Sequence, residues 1–436
     1  MNWNDVVLLI QAGQRQFVID ALSSAQAHIV TGSWLSANNP YALDANAELK
    51  NDSGAGVATQ PQELCEYIGA SAIVHCFDGW SYLGRAIGAE LAGDSTTSRH
   101  LAYYAELRGA KSLLAGSGIG VFKNPHAIIT GNGQCAVFKH TSTHDFIWKA
   151  FDAWMNTPMS RQLVLDIIRP GGVPLSDWLR QFNAGGQAIV QNWLTQWGLD
   201  LQVLQDDHLN RNIASYEPSC FPVQNTRNIV ENIASISEYW RLCEPLSQSY
   251  FYSLDRQLLR HALDEVGPSI FGNSGTVRYH NAIDGMLGQI QPGGVPSEWQ
   301  SFLQNPAREV SVVINDANGR DLIHHKDHPR QVLARAFLLL RLATGSVKSL
   351  IESCGSINRS NTTFWWSKIG EARGFWEAGD PPDDFTDLWQ DVSESLLDLD
   401  DACTKGSSAN RIMRENGPSL LSIACAERIG LWAIGL

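Results

Sequence analysis

The sequence has little that would mark a metal site or a disulfide framework. Its eight cysteines are scattered over 436 residues, and no two of them form a Cys-x-x-Cys pair. Zinc sites and disulfide scaffolds need cysteines at short, recurring spacings, so this scatter is typical of free thiols in a reducing compartment. We therefore expect neither a metal nor a cofactor, and a cytoplasmic location.

Long apolar runs are also missing. The longest, VLARAFLLLRLA at 332–343, contains two arginines and is too short to span a bilayer. The first residues, MNWNDVVLLIQAGQ, carry an aspartate where a secretory leader has basic residues, and Gln11 interrupts their apolar stretch. These observations predict a soluble protein that makes no membrane contact.

Charged residues make up only 18% of the chain, and the net charge is −13. An acidic protein repels phosphate backbones, which excludes broad electrostatic binding of nucleic acid and leaves room only for a local basic cleft. The nucleotide motif Gly-x4-Gly-Lys-Ser/Thr and the hydrolase motif Gly-x-Ser-x-Gly are both absent. The glycine run 116–120 follows a helical pattern and precedes a strand pattern, the reverse of a phosphate-binding loop.

The clearest structural signal is the stretch from Ser98 to His140. It reads as a strong helix, a glycine stop at Gly116 and Gly118 with positive φ, and short β-branched runs joined by a Gly-Asn-Gly turn. Helical spacing of apolar residues dominates the rest of the chain. The sequence therefore predicts a mostly α fold, built from two helical lobes with a small antiparallel β-hairpin near 119–138. We place the lobes at 1–218 and 219–436.

Several element boundaries follow from the same patterns. The polar, glycine-rich residues 36–60 predict a loop, and Val310–Ile314 predicts a strand. Helices are expected, among others, at 61–70, 76–92, 97–115, 250–265, 328–353, 384–402 and 408–434.

One short sequence occurs twice. Pro-Gly-Gly-Val-Pro stands at 170–174 and again at 292–296, and each copy precedes a Ser, an acidic residue and a tryptophan, Trp178 and Trp299. Proline and glycine turn the chain there, and the polar residues cap the helix that follows. The pattern indicates either a duplicated helical unit or two similar turns that arose independently.

Three features point to surfaces or cores rather than to chemistry. The 15 tryptophans indicate cores or interfaces rich in aromatic anchors. The expected helix 384–402 has one apolar face and one acidic face, which is either a solvated surface or a docking site for a basic partner. The apolar tail PSLLSIACAERIGLWAIGL must be buried, in its own core or in another subunit.

The segment HLAYYAELRGAKSLLAGSGIGVF, with its paired tyrosines, resembles the first long helices of HEPN-type proteins, and HPRQVLARAFLLLRLATG is similar to a second one. That family is all-helical, is frequent in prokaryotic antiviral and toxin systems, and often cuts RNA without a metal through an Arg-x4–6-His motif. The resemblance implies a helical component of a defence system, acting with a partner subunit or as a homodimer.

Two places in the chain match the Arg-x4-His spacing, about as many as random placement gives. In the first, RQLLRH, Arg256 and His261 lie on an expected helix with Arg260 beside the histidine. By the resemblance, His261 acts as general acid or base, Arg256 stabilises the phosphate, and Arg260 adds a second cation. The family's usual asparagine after the arginine is replaced by Gln257. The alternative is a surface helix with Asp255 and Glu265 as ion partners.

The other polar clusters are weaker. The second Arg-x4-His match, 320–325, falls in an expected loop, and the histidines at 324–328 lack distant partners for a metal. His140 and His144 are expected to lie at a helix start, and Asp44 with Glu48 and Lys50 is expected in a loop.

Two hypotheses therefore remain. The chain is an RNA-cleaving, HEPN-like defence effector, or it is a non-enzymatic scaffold that binds a protein partner through Trp-rich and acidic surfaces. Burial of His261, or carboxylates close to it, favours the scaffold.

Overall fold

The structure is a computed structural model that describes residues 2–180, 184–198, 200–201, 229–246, 250–270, 272, 276–290, 298–305, 311–319 and 329–434. Within these ranges the chain forms 21 α-helices and one small three-stranded antiparallel sheet. The prediction of a mostly α fold is confirmed.

The first half of the chain contains the sheet and the two longest N-terminal helices. Its elements are α1 (Trp3–Gln11), α2 (Arg15–Ser24), α3 (Gln26–Val30), α4 (Tyr41–Ala55), α5 (Pro61–Leu91), α6 (Ser95–Ala115), β1 (Ile119–Val121), β2 (Pro125–Ile129), β3 (Cys135–Lys139), α7 (Thr143–Met155), α8 (Pro158–Ile167), α9 (Leu175–Trp178) and α10 (Ala184–Trp197).

In the second half, the elements of the described residues are helices. Its elements are α11 (Ile229–Leu242), α12 (Tyr252–Ile270), α13 (Val277–Ile290), α14 (Glu298–Gln304), α15 (Val312–Asn318), α16 (Pro329–Cys354), α17 (Thr363–Arg373), α18 (Leu388–Thr404), α19 (Ala409–Glu415), α20 (Gly417–Ile423) and α21 (Glu427–Ile434).

The centre of the fold is a packed trio of helices, α5, α6 and α16. Leu340 of α16 lies against Gly79 of α5 and Gly109 of α6, where a side chain would meet its methyl group. A Cβ at Gly79 would overlap this methyl group, so glycine there lets α5 and α16 approach closely, whereas at Gly109 a Cβ would make an ordinary contact at 3.4 Å. The core is therefore shared by the two halves of the chain.

The predicted division into two lobes has its boundary at residues 218 and 219. These residues lie outside the described part of the chain, and the boundary stays a prediction.

The sheet is built where α6 ends. Gly118 takes the left-handed conformation with φ +82°, as predicted, whereas Gly116 is helical with φ −63°. The strands pair in the order β1-β2-β3, all antiparallel, and Val57 adds an isolated bridge to Ala136. The range predicted for a hairpin, 119–138, thus contains a three-stranded sheet whose last strand ends at residue 139. The middle strand, β2, is fully buried.

The expected loop at 36–60 is wrong over its middle, because α4 forms there. Tyr41, Ala45 and Leu49 recur every four residues and are buried along one face. Asp52, also buried, accepts a hydrogen bond from the Tyr41 hydroxyl at 2.7 Å. The segment is polar overall, which predicts a loop, but its few apolar residues are spaced as in a helix.

Two further expectations are corrected. The helices expected at 61–70 and 76–92 are one continuous helix, α5, because the residues between them continue its buried positions with Ala72 and Ile73. The strand expected at Val310–Ile314 is wrong: α15 begins at Val312 and buries Val313, Ile314 and Ala317. Its β-branched composition was misleading, because the buried positions have helical spacing.

The C-terminal run forms three short helices, α19 to α21, instead of one helix over 408–434. Residues 431–434 are at most 2% exposed, and α21 packs against α5. The described residues of α21 are therefore buried in the chain's own core, whereas Leu421 of α20 is 70% exposed.

The two tryptophans of the repeated sequence meet in space. Trp178 and Trp299 stack with ring centroids 5.2 Å apart and planes 20° from parallel. Gly171 of the first copy has φ +62° and lies beside the Trp299 ring. The second copy of Pro-Gly-Gly-Val-Pro falls outside the described residues. The duplication stays a hypothesis.

Candidate functional site

The predicted catalytic residues all lie on α12, as expected, but they face different neighbours. Arg256 and Arg260 are one turn apart and both contact α14, whereas His261 contacts α10 and α15. The three side chains therefore do not converge on a common point.

Arg260 fastens α12 to the end of α14. Its Nε lies 3.0 and 3.1 Å from the two Asp264 carboxylate oxygens. Its terminal nitrogens donate to the backbone carbonyls of Phe302 (3.0 Å), Leu303 (2.7 Å) and Asn305 (3.1 Å). With the side chain only 8% exposed, this guanidinium satisfies carbonyl groups at a helix end, a structural task.

Arg256 is held by aromatic rings and one carboxylate. Its guanidinium carbon lies 3.9 Å from the centre of the Phe302 ring and 5.5 Å from that of Trp299. Its NH1 pairs with Glu298 at 3.3 Å. The rings lie against the guanidinium, and Glu298 occupies part of the N–H edge that a phosphate would need.

His261 packs flat against Trp193, with ring centroids 5.9 Å apart and planes 12° from parallel. Its Nε2 lies 3.1 Å from the Asn318 amide nitrogen and 3.2 Å from a Glu265 carboxylate oxygen. The side chain is 13% exposed. A general acid or base must reach its substrate within hydrogen-bond distance, and here that nitrogen already contacts two groups.

The alternative interpretation of α12 fits in part. Glu265 is a partner of His261, as that interpretation expects. Asp255 instead pairs with Arg341 of α16, at 2.7 and 2.8 Å, and both side chains are buried. The helix is thus an inner element held by ion pairs, not a surface helix.

Some of the other predicted polar clusters lie outside the described residues, and the others make structural contacts. The Arg-x4-His match at 320–325 and the histidines at 324–328 are outside the described residues. Over the ranges that the structure covers, no three His, Cys, Asp or Glu side chains are grouped to hold a metal ion. His144 accepts or donates a 2.7 Å hydrogen bond with the Tyr103 hydroxyl, and Asp44 caps the backbone of Ala47 at 3.0 Å, both local structural roles.

A cleft of about 770 Å³ lies between α8, α16 and the start of α12. Two of its cations are already engaged: Arg341 pairs with Asp255, and Arg15 donates to the Gly116 carbonyl and to Ser346. Four cations and three carboxylates line it, so both signs of charge are mixed there and the cleft does not favour one class of ion.

The acidic face predicted for helix 384–402 is present on α18, which begins at Leu388 after a short 3₁₀ turn. Leu397 stands on this face with 69% of its surface exposed. Glu394 and Asp401 lie one turn before and after it, and Asp398 is adjacent. Asp401 pairs with Lys405, whereas Glu394 and Asp398 accept hydrogen bonds only from neutral side chains among the described residues, which leaves these two charges uncompensated there.

Leu397 was missed in the sequence, although a signal was available. It lies one position outside the apolar stripe of α18, so the helix cannot bury it together with Leu396 and Leu399.

All fifteen tryptophans lie in the described ranges, and each is buried or half-buried. Nine are buried in the core and six are half-buried, so the Trp-rich docking surface stays a prediction.

No family model, curated protein or solved structure matches this chain. Among the described helices, none is both long and apolar enough to cross a membrane.

Proposed function

We propose that the protein is a non-enzymatic helical adaptor that binds a protein partner through the acidic face of α18. The observation that carries the proposal is Leu397, a large apolar side chain exposed between uncompensated carboxylates. An isolated exposed leucine is ordinary, but one beside two uncompensated carboxylates suits a partner with a basic surface and an apolar recess.

The setting of this adaptor rests on the resemblance to HEPN-type proteins. We propose a prokaryotic defence system, in which a neighbouring gene encodes the partner. RNA cleavage through Arg256 and His261 is the less favoured activity, since both side chains are engaged in packing and ion pairing.

The partner interaction is tested by affinity capture of the tagged protein from its own cells. The double variant Glu394→Lys/Asp398→Lys reverses the charge beside Leu397. The control is Leu43→Lys, at a leucine that is fully exposed on α4. We expect a basic partner protein with the wild type and the control, and about tenfold less of it with the double variant. Equal recovery by all three proteins would contradict the proposal.

The absence of cleavage is tested separately by incubating the purified protein with total RNA, alone and with the captured partner. We expect the RNA to stay intact. Cleavage that disappears in a folded His261→Ala variant would establish the nuclease instead.

A further inference from the structure

A smaller cavity, of about 260 Å³, lies where α5 and α6 meet the turn after β1 and the start of α7. Tyr67, Ser71 and His75 line it from α5, spaced one turn apart along a single face. Lys111 lines it from α6, and Thr143 from the first residue of α7. It presents polar side chains in an otherwise apolar part of the fold.

Lys111 is the feature that calls for a ligand. It is half-buried, and its ammonium makes no hydrogen bond or ion pair with any residue in the described ranges. Burial lowers the pKa of Lys111 to about 8, with Arg108 adding repulsion and Asp78 opposing the shift. An unpaired, partly desolvated cation destabilises a fold, and proteins retain such groups mainly at functional sites.

His75 supplies a hydrogen-bond donor at the same place. The Arg108 NH1 lies 2.8 Å from His75 Nδ1, and because a guanidinium only donates, Nδ1 accepts this bond. Burial and the charges of Lys111 and Arg108 hold the pKa of His75 well below its usual value. The neutral ring therefore carries its proton on Nε2.

No carboxylate of the described residues forms an ion pair with Lys111. Asp78 raises the pKa of Lys111 through its charge, but its own ion pair is with Arg108, at 3.5 Å. The Tyr67 hydroxyl has no partner among the described residues, and burial raises the pKa of Tyr67, so it remains a donor. The cavity thus combines two lysines without an ion pair among the described residues, the half-buried Lys111 and the exposed Lys123, with neutral donors.

We propose that this cavity binds a phosphate group, either free or as the end of a small phosphate ester, with Lys111 as the ion-pair partner. Lysine is a common phosphate ligand, as a point charge, and neutral donors complete the coordination of the remaining oxygens. The volume lies below the range of about 300–1,000 Å³ that holds drug-sized ligands, which limits the ligand to a phosphate with a short appendage. This site is independent of the adaptor face on α18.

The test is isothermal titration of the full chain with inorganic phosphate and, separately, with glycerol 3-phosphate, at pH 7 and constant ionic strength. The key variant is Lys111→Met, which keeps the apolar stem. The control is Lys139→Met, an exposed lysine at the end of β3. We expect the wild type and the control to bind at least one probe, and Lys111→Met to bind it at least about tenfold more weakly.

Tighter binding of the ester would identify the ligand as a phosphate ester, and tighter binding of phosphate would identify the free ion. Failure of the wild type to bind either probe at 10 mM, or equal affinity in all three proteins, would overturn the proposal. The variant Lys111→Arg keeps the charge and must retain binding, which separates loss of the site from loss of the fold.

A pH series with sulfate, which stays doubly charged throughout, adds a second readout. Binding requires protonated Lys111, so the affinity of the wild type should fall as the pH rises through about 8, whereas Lys111→Arg should not show this fall. The other ionisable groups near Lys111 are His75, Asp78, Arg108, His126 and Lys123, and their titration is common to both proteins. An equal fall in both would contradict the role of Lys111.

Discussion

Arginines inside this molecule hold helices together. Arg335 makes two hydrogen bonds to Asp200, at 2.6 and 2.9 Å, and Arg341 makes two to Asp255, with all four side chains buried. Two-point pairing is the geometry in which a buried guanidinium is best satisfied. Arg260 belongs to the same group, so an arginine spaced for catalysis here serves the fold.

Glu106 is a buried acid with no ion-pair partner of its own among the described residues. It is fully buried on α6, and burial together with the nearby Asp200 charge raises its pKa well above the usual range, which Arg335 only partly offsets. Glu106 therefore keeps its proton to a higher pH than an exposed glutamate does.

The variant Glu106→Gln tests this by the pH dependence of stability. A raised pKa in the folded state means that the contribution of Glu106 is fully present below its unfolded value, about 4.5, and is lost as the pH rises toward the folded pKa. Between pH 5 and 8 we expect the wild type to lose stability relative to the variant, by at most about 1.4 kcal/mol per pH unit. Urea unfolding at several pH values measures the difference in unfolding free energy between the two proteins. A difference that stays constant with pH would show that Glu106 is ionised in the folded protein.

Residue spacing predicted the helix that carries Arg256 and His261, but not their roles. The partners that occupy them, Trp193, Glu298 and Asn318, are distant in sequence. No local sequence pattern indicates those contacts. The Arg-x4-His motif alone therefore could not decide between the nuclease and the scaffold hypotheses.

At the level of elements, small residues on α5 decide how closely other segments pack. A Cβ at Gly84 would lie 2.5 Å from the Ala424 carbonyl oxygen and 2.8 Å from the Ala426 backbone nitrogen. One turn later, a Cβ at Gly88 would meet only the Ala424 side chain, at 3.4 Å. The two glycines share a helix face but differ in what they touch.

Alanine at these positions should therefore act in opposite directions. Gly88→Ala gains helix propensity and should stabilise the protein by up to about 1 kcal/mol. Gly84→Ala gains the same propensity but forces backbone apart, and should cost about 2 kcal/mol overall. Thermal and urea unfolding give both values. Stabilisation by both substitutions would mean that the segment before α21 does not pack on α5 as described.

Elements with strong local signals were predicted well and the others were not. The end of α6 at a glycine turn and the three short strands follow from turn residues and β-branched runs. The helix α4 was missed because its polar composition outweighed four-residue spacing, and α15 was taken for a strand because of its valines.

At the level of the whole molecule, one core joins the two halves of the chain through α16, which packs on both α5 and α6. Fully buried tryptophans lie along this core from Trp80 to Trp432. The aromatic content predicted a rich core, and the acidic balance predicted poor binding of nucleic acid. Composition does not specify which helices pack against one another in the core, because those contacts join residues that are far apart in sequence.

The side chains of Arg256, Arg260 and His261 stabilise the fold through their contacts with neighbouring helices. The most direct test is the free energy of unfolding of Arg260→Met, with Arg180→Met as control at an arginine whose side chain is 76% exposed. Removing Arg260 leaves three backbone carbonyls and Asp264 without their donor, so we expect a loss of about 3–5 kcal/mol and less than about 1 kcal/mol in the control. Active-site side chains are commonly neutral or costly to stability, so unchanged or increased stability in Arg260→Met would contradict the claim.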